Sequence, residues 1–230
     1  MKGWTLPLVA LLGALLGAAV MHFGSGAATG PAVREYLLTH PEVIPEAMAK
    51  LQDRENAKAV IANRAAIETP VGSAWGGNPR GDVTLVEFYD YNCGFCRASL
   101  PVLDELVADD PKLRVVYREM PVLAESSRDA ARVSLLAADQ GKFARFHQLL
   151  YTAGPVTPET IAAAAASAGV STAKLDPDAL DKRLHAELVL ARTLGMTGTP
   201  SWVVGDRVIS GAVPIDQLKA AIAAARAAKG

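Results

Sequence analysis

Residues 83–120 read VTLVEFYDYNCGFCRASLPVLDELVADDPKLRVVYREM, and they hold both cysteines of a 230-residue chain, Cys93 and Cys96. Val83 to Tyr89 are β-branched, aromatic or apolar apart from one acid, Glu87. Such a run makes a strand buried on both faces. From about Gly94 to Ala108 the residues Leu100, Leu103, Leu106 and Val107 share one face of a helix, and residues 113–120 return to a strand pattern. Strand, helix and strand in so short a span form a βαβ unit, so the two strands run parallel with a right-handed crossover.

Two cysteines dropped at random in a chain this long stand three apart roughly one time in a hundred, so the spacing asks for a cause. A metal site, a staple and a redox pair are the candidates. Structural zinc needs four protein ligands and catalytic zinc three plus water. Beyond the thiols the chain offers His22, His40, His147 and His185, no two of them three or four positions apart. No metal and no cofactor is expected. A disulfide closing so short a loop removes little denatured-state entropy, which makes it a poor staple.

The redox reading fits the local geometry. At the junction of strand and helix, Cys93 meets unpaired N–H groups and the positive end of the dipole, which stabilise its thiolate, while Cys96 follows one turn further in and is less exposed. Residues three apart on a regular helix hold their β-carbons about 5–6 Å apart against roughly 3.5–4.5 Å in a disulfide, but a cap residue is released from helical dihedrals. The pair can therefore close and reopen, with Cys93 attacking and Cys96 resolving the mixed disulfide. The alternative is a Cu(I)-binding or copper-tolerance role for the same two thiolates, since soft sulfur suits Cu(I). Met120 and Met196 read as packing.

Half of the chain is apolar, enough for one good-sized core, and 23 basic residues balance 24 acidic ones, leaving no electrostatic footprint for nucleic acid. After Lys2 no charge appears until Arg34, and residues 6–20 are almost wholly apolar. Residues 1–28 read as a secretory signal peptide with small residues near a cleavage point, or as a signal anchor using residues 4–23, in which Gly13 and Gly17 would let two helices approach. Either way the remainder is exported to an oxidising compartment.

Residues 29–69 form a helical extension. Val33, Leu37, Ile44, Met48 and Leu51 recur at helical spacing, with Pro41 and Pro45 breaking the first half; the stripe is either an oligomerisation stalk or a helix packed on its own domain. The Gly- and Pro-rich stretch 69–82 reads as a turn region ending it. After the βαβ unit comes a run of helices over about 122–195. Ser126 or Ser127 is expected to cap one ending at Gly141, residues 141–152 make another, and Thr157-Pro158 and Asp176-Pro177 open two more, the last stopping near Gly195. Two short strands joined through Gly205-Asp206 and an alanine-rich helix from about Pro214 close the chain.

The stretches VEFYDYNCGFC (86–96), VVYREMPVL (115–123) and GTPSWVVGDRVISGAVPIDQL (198–218) resemble the DsbA family of thioredoxin-like thiol:disulfide interchange proteins. The N-terminal extension resembles that of the suppressor-of-copper-sensitivity C type. This likeness implies an α/β thioredoxin-like fold over residues 70–230 with an inserted helical domain and an N-terminal helical extension. It also implies a periplasmic enzyme that exchanges disulfides with exported cysteine-containing proteins and is reset by a membrane or periplasmic thiol partner, with homo-oligomerisation through residues 31–68. Glu87, six residues before Cys93, matches the family's buried acid, which relays the proton of Cys96; the alternative is that it points outward. Pro101 matches a kink in the first helix. Thr199-Pro200 matches a loop with a cis peptide facing the cysteines, whose backbone pairs with an extended substrate strand, and Gly94 and Phe95 join it as substrate-contacting residues. Strongly oxidising members usually carry a histidine between the cysteines. Phe95 cannot donate a hydrogen bond to the Cys93 sulfur, so the likeness points toward an isomerase or reductase bias.

Overall fold

The computed structural model describes residues 29–173 and 176–229. The expected signal or anchor at 1–28 lies outside them. The chain divides into two compact units, Met1–Gln52 and Asp53–Gly230.

In the first unit, α1 spans Thr29–Thr39 and α2 begins at Val43, continuing to Glu68. Pro41 lies in the turn between them. Pro45 does not break α2 as expected: it is the third residue of the helix, where the N–H that proline lacks has no intrahelical partner anyway. Among the described residues of this unit none is buried, and Val33, Tyr36, Leu38, Ile44, Met48 and Leu51 are all exposed.

The second unit is built on a five-stranded sheet of order β1-β3-β2-β4-β5. Val83–Tyr89 (β2) and Leu113–Glu119 (β3) are parallel and joined by α3 (Gly94–Asp109), the expected βαβ unit. Trp75–Gly77 (β1) is a strand inside the stretch whose sequence reads as a turn region. It pairs antiparallel with β3, and so short an edge strand carries no periodic signal. Ser201–Val204 (β4) runs antiparallel to β2, and Arg207–Ser210 (β5) forms the hairpin with it, Gly205 supplying the positive φ of 58°.

Every residue of β2 is buried, and the two-residue period divides its side chains between two layers. Leu85 packs with Leu103 and Leu106 of α3 and with Leu218 and Ile222 of the closing helix α8 (Ile215–Ala227). Val86 and Phe88 face the other way, toward Val60 and Ile67 of α2 and Ala191 and Leu194 near the end of α7 (Pro177–Thr193). Burying Val60 and Ile67 contributes about 1.5–3 kcal/mol each. The carbonyls ending α2 are capped from the sheet. Arg118 of β3 donates to Ile67 O at 3.2 Å and Thr69 O at 2.6 Å, and its guanidinium pairs with buried Glu187 of α7 at 2.7 Å. Removing one member would strand a buried charge, at about 3–5 kcal/mol.

Between β3 and β4 lie α4 (Glu125–Asp139), α5 (Phe143–Thr152), α6 (Pro158–Ala168) and α7. Thr157 and Asp176 cap α6 and α7 through their side chains, each followed by proline at N1. For α4 the expectation fails by two or three residues. Its N-cap is Ala124, and Ser126 and Ser127 sit inside the first turn, where Ser127 Oγ accepts the Ala124 N–H at 3.2 Å. A tertiary partner holds Ser127 there: its hydroxyl donates to the Asp90 carboxylate at 2.7 Å.

Candidate active site

Cys93 is the N-cap of α3, with extended dihedrals of φ −78° and ψ 113°. Its sulfur accepts the N–H of Cys96 at 3.4 Å and donates its thiol proton to the carbonyl of Thr199 at 3.2 Å. No acidic residue occupies the first turn of α3, so nothing there offsets the positive end of its dipole. Cys93 keeps a sliver of exposure, 6%, against 1% for Cys96. Burial, reinforced by the charge of Glu87, pushes the Cys96 thiol far above its ordinary range. Between the two, Phe95 is 68% exposed, and nothing would meet a β-carbon at Gly94. Pro101 lies inside α3.

The Thr199-Pro200 peptide is cis. It leads into β4 beside β2, which is how residues 106 positions apart come to share a hydrogen bond. Thr199 Oγ1 is buried without a partner.

Glu87 sits at the centre of the sheet, opposite Tyr117 on one side and Trp202 on the other, and at 1% exposure it does not point outward to solvent. By the strand period it faces the layer that α3 covers, as Leu85 does. Its Oε1 has no hydrogen-bond partner. Burial, and then the charge of Cys93, raise its pKa to about 8. A carboxyl that changes state near neutrality therefore lies electrostatically coupled to both sulfurs.

Asp90 belongs to the site although little in its local sequence singles it out. Its carboxylate accepts four hydrogen bonds, from Asn92 N–H at 2.8 Å, Ser127 Oγ at 2.7 Å, Val122 N–H at 2.9 Å and Leu123 N–H at 3.0 Å. Its carbonyl takes the N–H of Cys93 and the hydroxyl of Tyr151, both at 3.0 Å. The local half, an Asp bonding the backbone two residues on, is a known turn signal; the partners at 122–127 and 151 are long-range. Beneath this turn Tyr89 donates to Glu119, and Tyr91 bonds Ser134 and His147 Nδ1, both at 3.1 Å. Burial raises Glu119 to about 8 and lowers His147 to about 3, so His147 is neutral and packs among the rings of Tyr89, Tyr91 and Phe143. His185 is exposed, and Met120 and Met196 are buried.

A helix-capping thiol, a second thiol one turn behind it and a cis-proline loop facing the first, all on a thioredoxin-like sheet, define a thiol:disulfide oxidoreductase. The chain belongs to the DSBA-like thioredoxin domain family, whose model matches residues 84–223. Residues 27–58 match the N-terminal domain of copper resistance protein ScsC. A linker-deletion mutant of Proteus mirabilis ScsC superposes with a TM-score of 0.73 at 30% identity, covering 90% of this chain and 99% of that one. A thioredoxin-like oxidoreductase from Silicibacter pomeroyi is 40% identical, with a TM-score of 0.67 over 72% of this chain and 98% of its own. A periplasmic thioredoxin-like protein from Salmonella enterica serovar Typhimurium is 33% identical, with a TM-score of 0.65 over 71% of this chain and 95% of its own. Among curated proteins, Na(+)/H(+) antiporter NhaA 1 of Salinispora arenicola is 28% identical over 156 residues, 65% of this chain; the chain spans only 24% of that relative's length.

Proposed function

We propose that this protein is an exported thiol:disulfide exchange enzyme acting on cysteine-containing polypeptides, with an isomerase or reductase bias. The observation that carries the reading is the Cys93 sulfur, held at a helix N-terminus and aimed at the backbone of Thr199. In the reducing direction the Cys93 thiolate attacks a client disulfide, one client sulfur leaves as thiolate and takes a proton, and Cys93 becomes the mixed disulfide. With Cys93 in the mixed disulfide, its charge no longer opposes ionisation of Glu87; the ionised carboxylate takes the proton of Cys96 as Cys96 attacks Cys93, and the second client sulfur leaves as thiolate and takes a proton from water. The client leaves with two thiols, and the protein holds the Cys93–Cys96 disulfide until an external dithiol reduces it. The client strand lies against the Thr199 backbone, whose N–H has no acceptor among the described residues, in the manner of an added β-strand. Gly94 and Phe95 border that strand.

Equilibration of the pair with glutathione, run beside refolding of a mispaired multi-disulfide protein, tests the bias. A potential near the thioredoxin end together with reshuffling supports it, whereas a strongly oxidising potential makes the protein an oxidase. Cys93→Ser should abolish exchange, and Cys96→Ser should accumulate mixed disulfides that non-reducing gels reveal.

Export rests on the long charge-free N-terminus, and the periplasmic neighbour from Salmonella is in keeping with it. Mass spectrometry of the mature N-terminus separates a cleaved leader from an anchor at residues 4–23. Self-association through residues 31–68 would cover the exposed apolar side chains of α1 and early α2. Sedimentation of the purified protein, with Met48→Asp as the disrupting variant, decides it.

A further inference from the structure

A groove of about 640 Å³ is walled by the loop 120–124, by α4 at Glu125, Arg128 and Arg132, and by α7 at Leu188 and Arg192. Its size is that of a ligand site. The loop wall is bonded to the active-site turn. Val122 and Leu123 donate to Asp90 Oδ2, and Asn92, next to Cys93, donates to Ser126 at 3.0 Å and Ser127 at 2.9 Å.

Two properties say what the groove takes. First, the exposed large apolar side chains among the described residues of Asp53–Gly230 are Ile61, Phe95, Val122, Leu123 and Val189. Phe95 lies between the cysteines, and Val122 and Leu123 lie on this loop. Second, three arginines line the groove against one acid, Glu125. Arg132 is committed to Asp129 at 2.6 Å and Asp181 at 2.7 Å. Arg128 lies near enough to Asp181 to help hold that carboxyl below its usual range. Among the described residues Arg128 forms no ion pair and Arg192 has no partner. An aliphatic rim with two uncommitted guanidinium groups complements an aliphatic, acidic strand of polypeptide.

We infer that this groove holds an acidic, aliphatic segment of the client whose cysteine is engaged at Cys93, its carboxylates meeting Arg128 and Arg192. The inference rests on the exchange reading above. Asp90 and Cys93 are at most about 10 Å apart along an extended chain, so a client strand reaches the groove within about four to six residues of its cysteine.

The test uses reduced full-length protein and peptides whose central cysteine is capped by thionitrobenzoate. One set carries Glu-Val-Glu four to six residues from the cysteine on each side, and the matched set carries Lys-Val-Lys. Reduction of 2-hydroxyethyl disulfide, which is uncharged, is measured in parallel on the wild type. Wild type should prefer the acidic peptide roughly tenfold in kcat/KM, carried in KM. That preference should shrink in about 1 M salt, where the screening length falls to about 3 Å. The Arg128→Glu/Arg192→Glu variant should reverse it. Preference is a ratio within each protein, so changes common to both peptides cancel. Equal rates on the two peptides with hydroxyethyl disulfide turnover intact, or an acid preference that survives the double reversal, overturn the groove assignment alone. Absence of hydroxyethyl disulfide turnover overturns the exchange reading and the client with it.

Discussion

Glu87 and Asp90 lie three residues apart at the end of one strand, both 1% exposed, and their surroundings are opposite. In the turn, Asp90 accepts four hydrogen bonds from three separate segments. In the strand, Glu87 has a buried oxygen with no partner and a pKa raised to about 8. The contrast shows that burial alone does not make a carboxyl reactive. Satisfied by donors, it becomes a fixed knot that holds the cysteine turn to the 122–127 loop. Left unsatisfied beside two sulfurs, it keeps a proton that it can exchange.

The largest effect should come from cutting the knot. Asp90→Ala leaves the N–H groups of Asn92, Val122 and Leu123 without an acceptor, at a cost of about 3–5 kcal/mol, to be read from urea unfolding. An unchanged midpoint would place those donors in water instead. Next is Glu87→Gln, which has two readouts. Resolution by Cys96 should slow roughly a hundredfold, seen as persistence of the mixed disulfide in rapid-quench gels. Stability should move the other way. The folded pKa lies above the unfolded one, so the folded chain retains a proton that the unfolded chain has released. Wild type is therefore most stable below about pH 4.5 with respect to this group, and loses stability as pH rises toward 8. Glu119, also raised to about 8, adds a loss of the same sign. Unfolding free energies from urea titrations at pH 5 and pH 8 should differ less in Glu87→Gln than in wild type, by on the order of a few kcal/mol. The smallest effect bears on the sulfur that these carboxyls serve. Phe95→His adds a donor beside Cys93 and should favour the dithiol form about tenfold, a shift of about 30 mV toward oxidising in glutathione equilibration.

Much of this site was legible locally. The apolar run 83–89, the helix behind Gly94 and the strand at 113 follow from residue type and period, and the Thr157-Pro158 and Asp176-Pro177 caps from a few adjacent residues. Glu87 stood out as one acid in an apolar run. Other features were not legible, for one shared reason. The three-residue β1 exists only because β3 offers it an edge. Ala124 caps α4 because Asp90, far away in sequence, claims Ser127. The groove at the 120–124 loop is walled by segments some sixty to seventy residues apart, and no window of sequence contains it.

By itself the amino-acid order determined the βαβ unit, the adjacency of the two thiols at a helix start and the polarity of each face, because these depend on dihedral preference and on neighbours within a turn or a strand. Only tertiary structure decided which buried carboxyl is satisfied, what the Cys93 sulfur faces and where guanidinium groups stand uncommitted. Hydrogen bonds and desolvation act over a few ångströms of space, and the chain brings those partners together only when it folds.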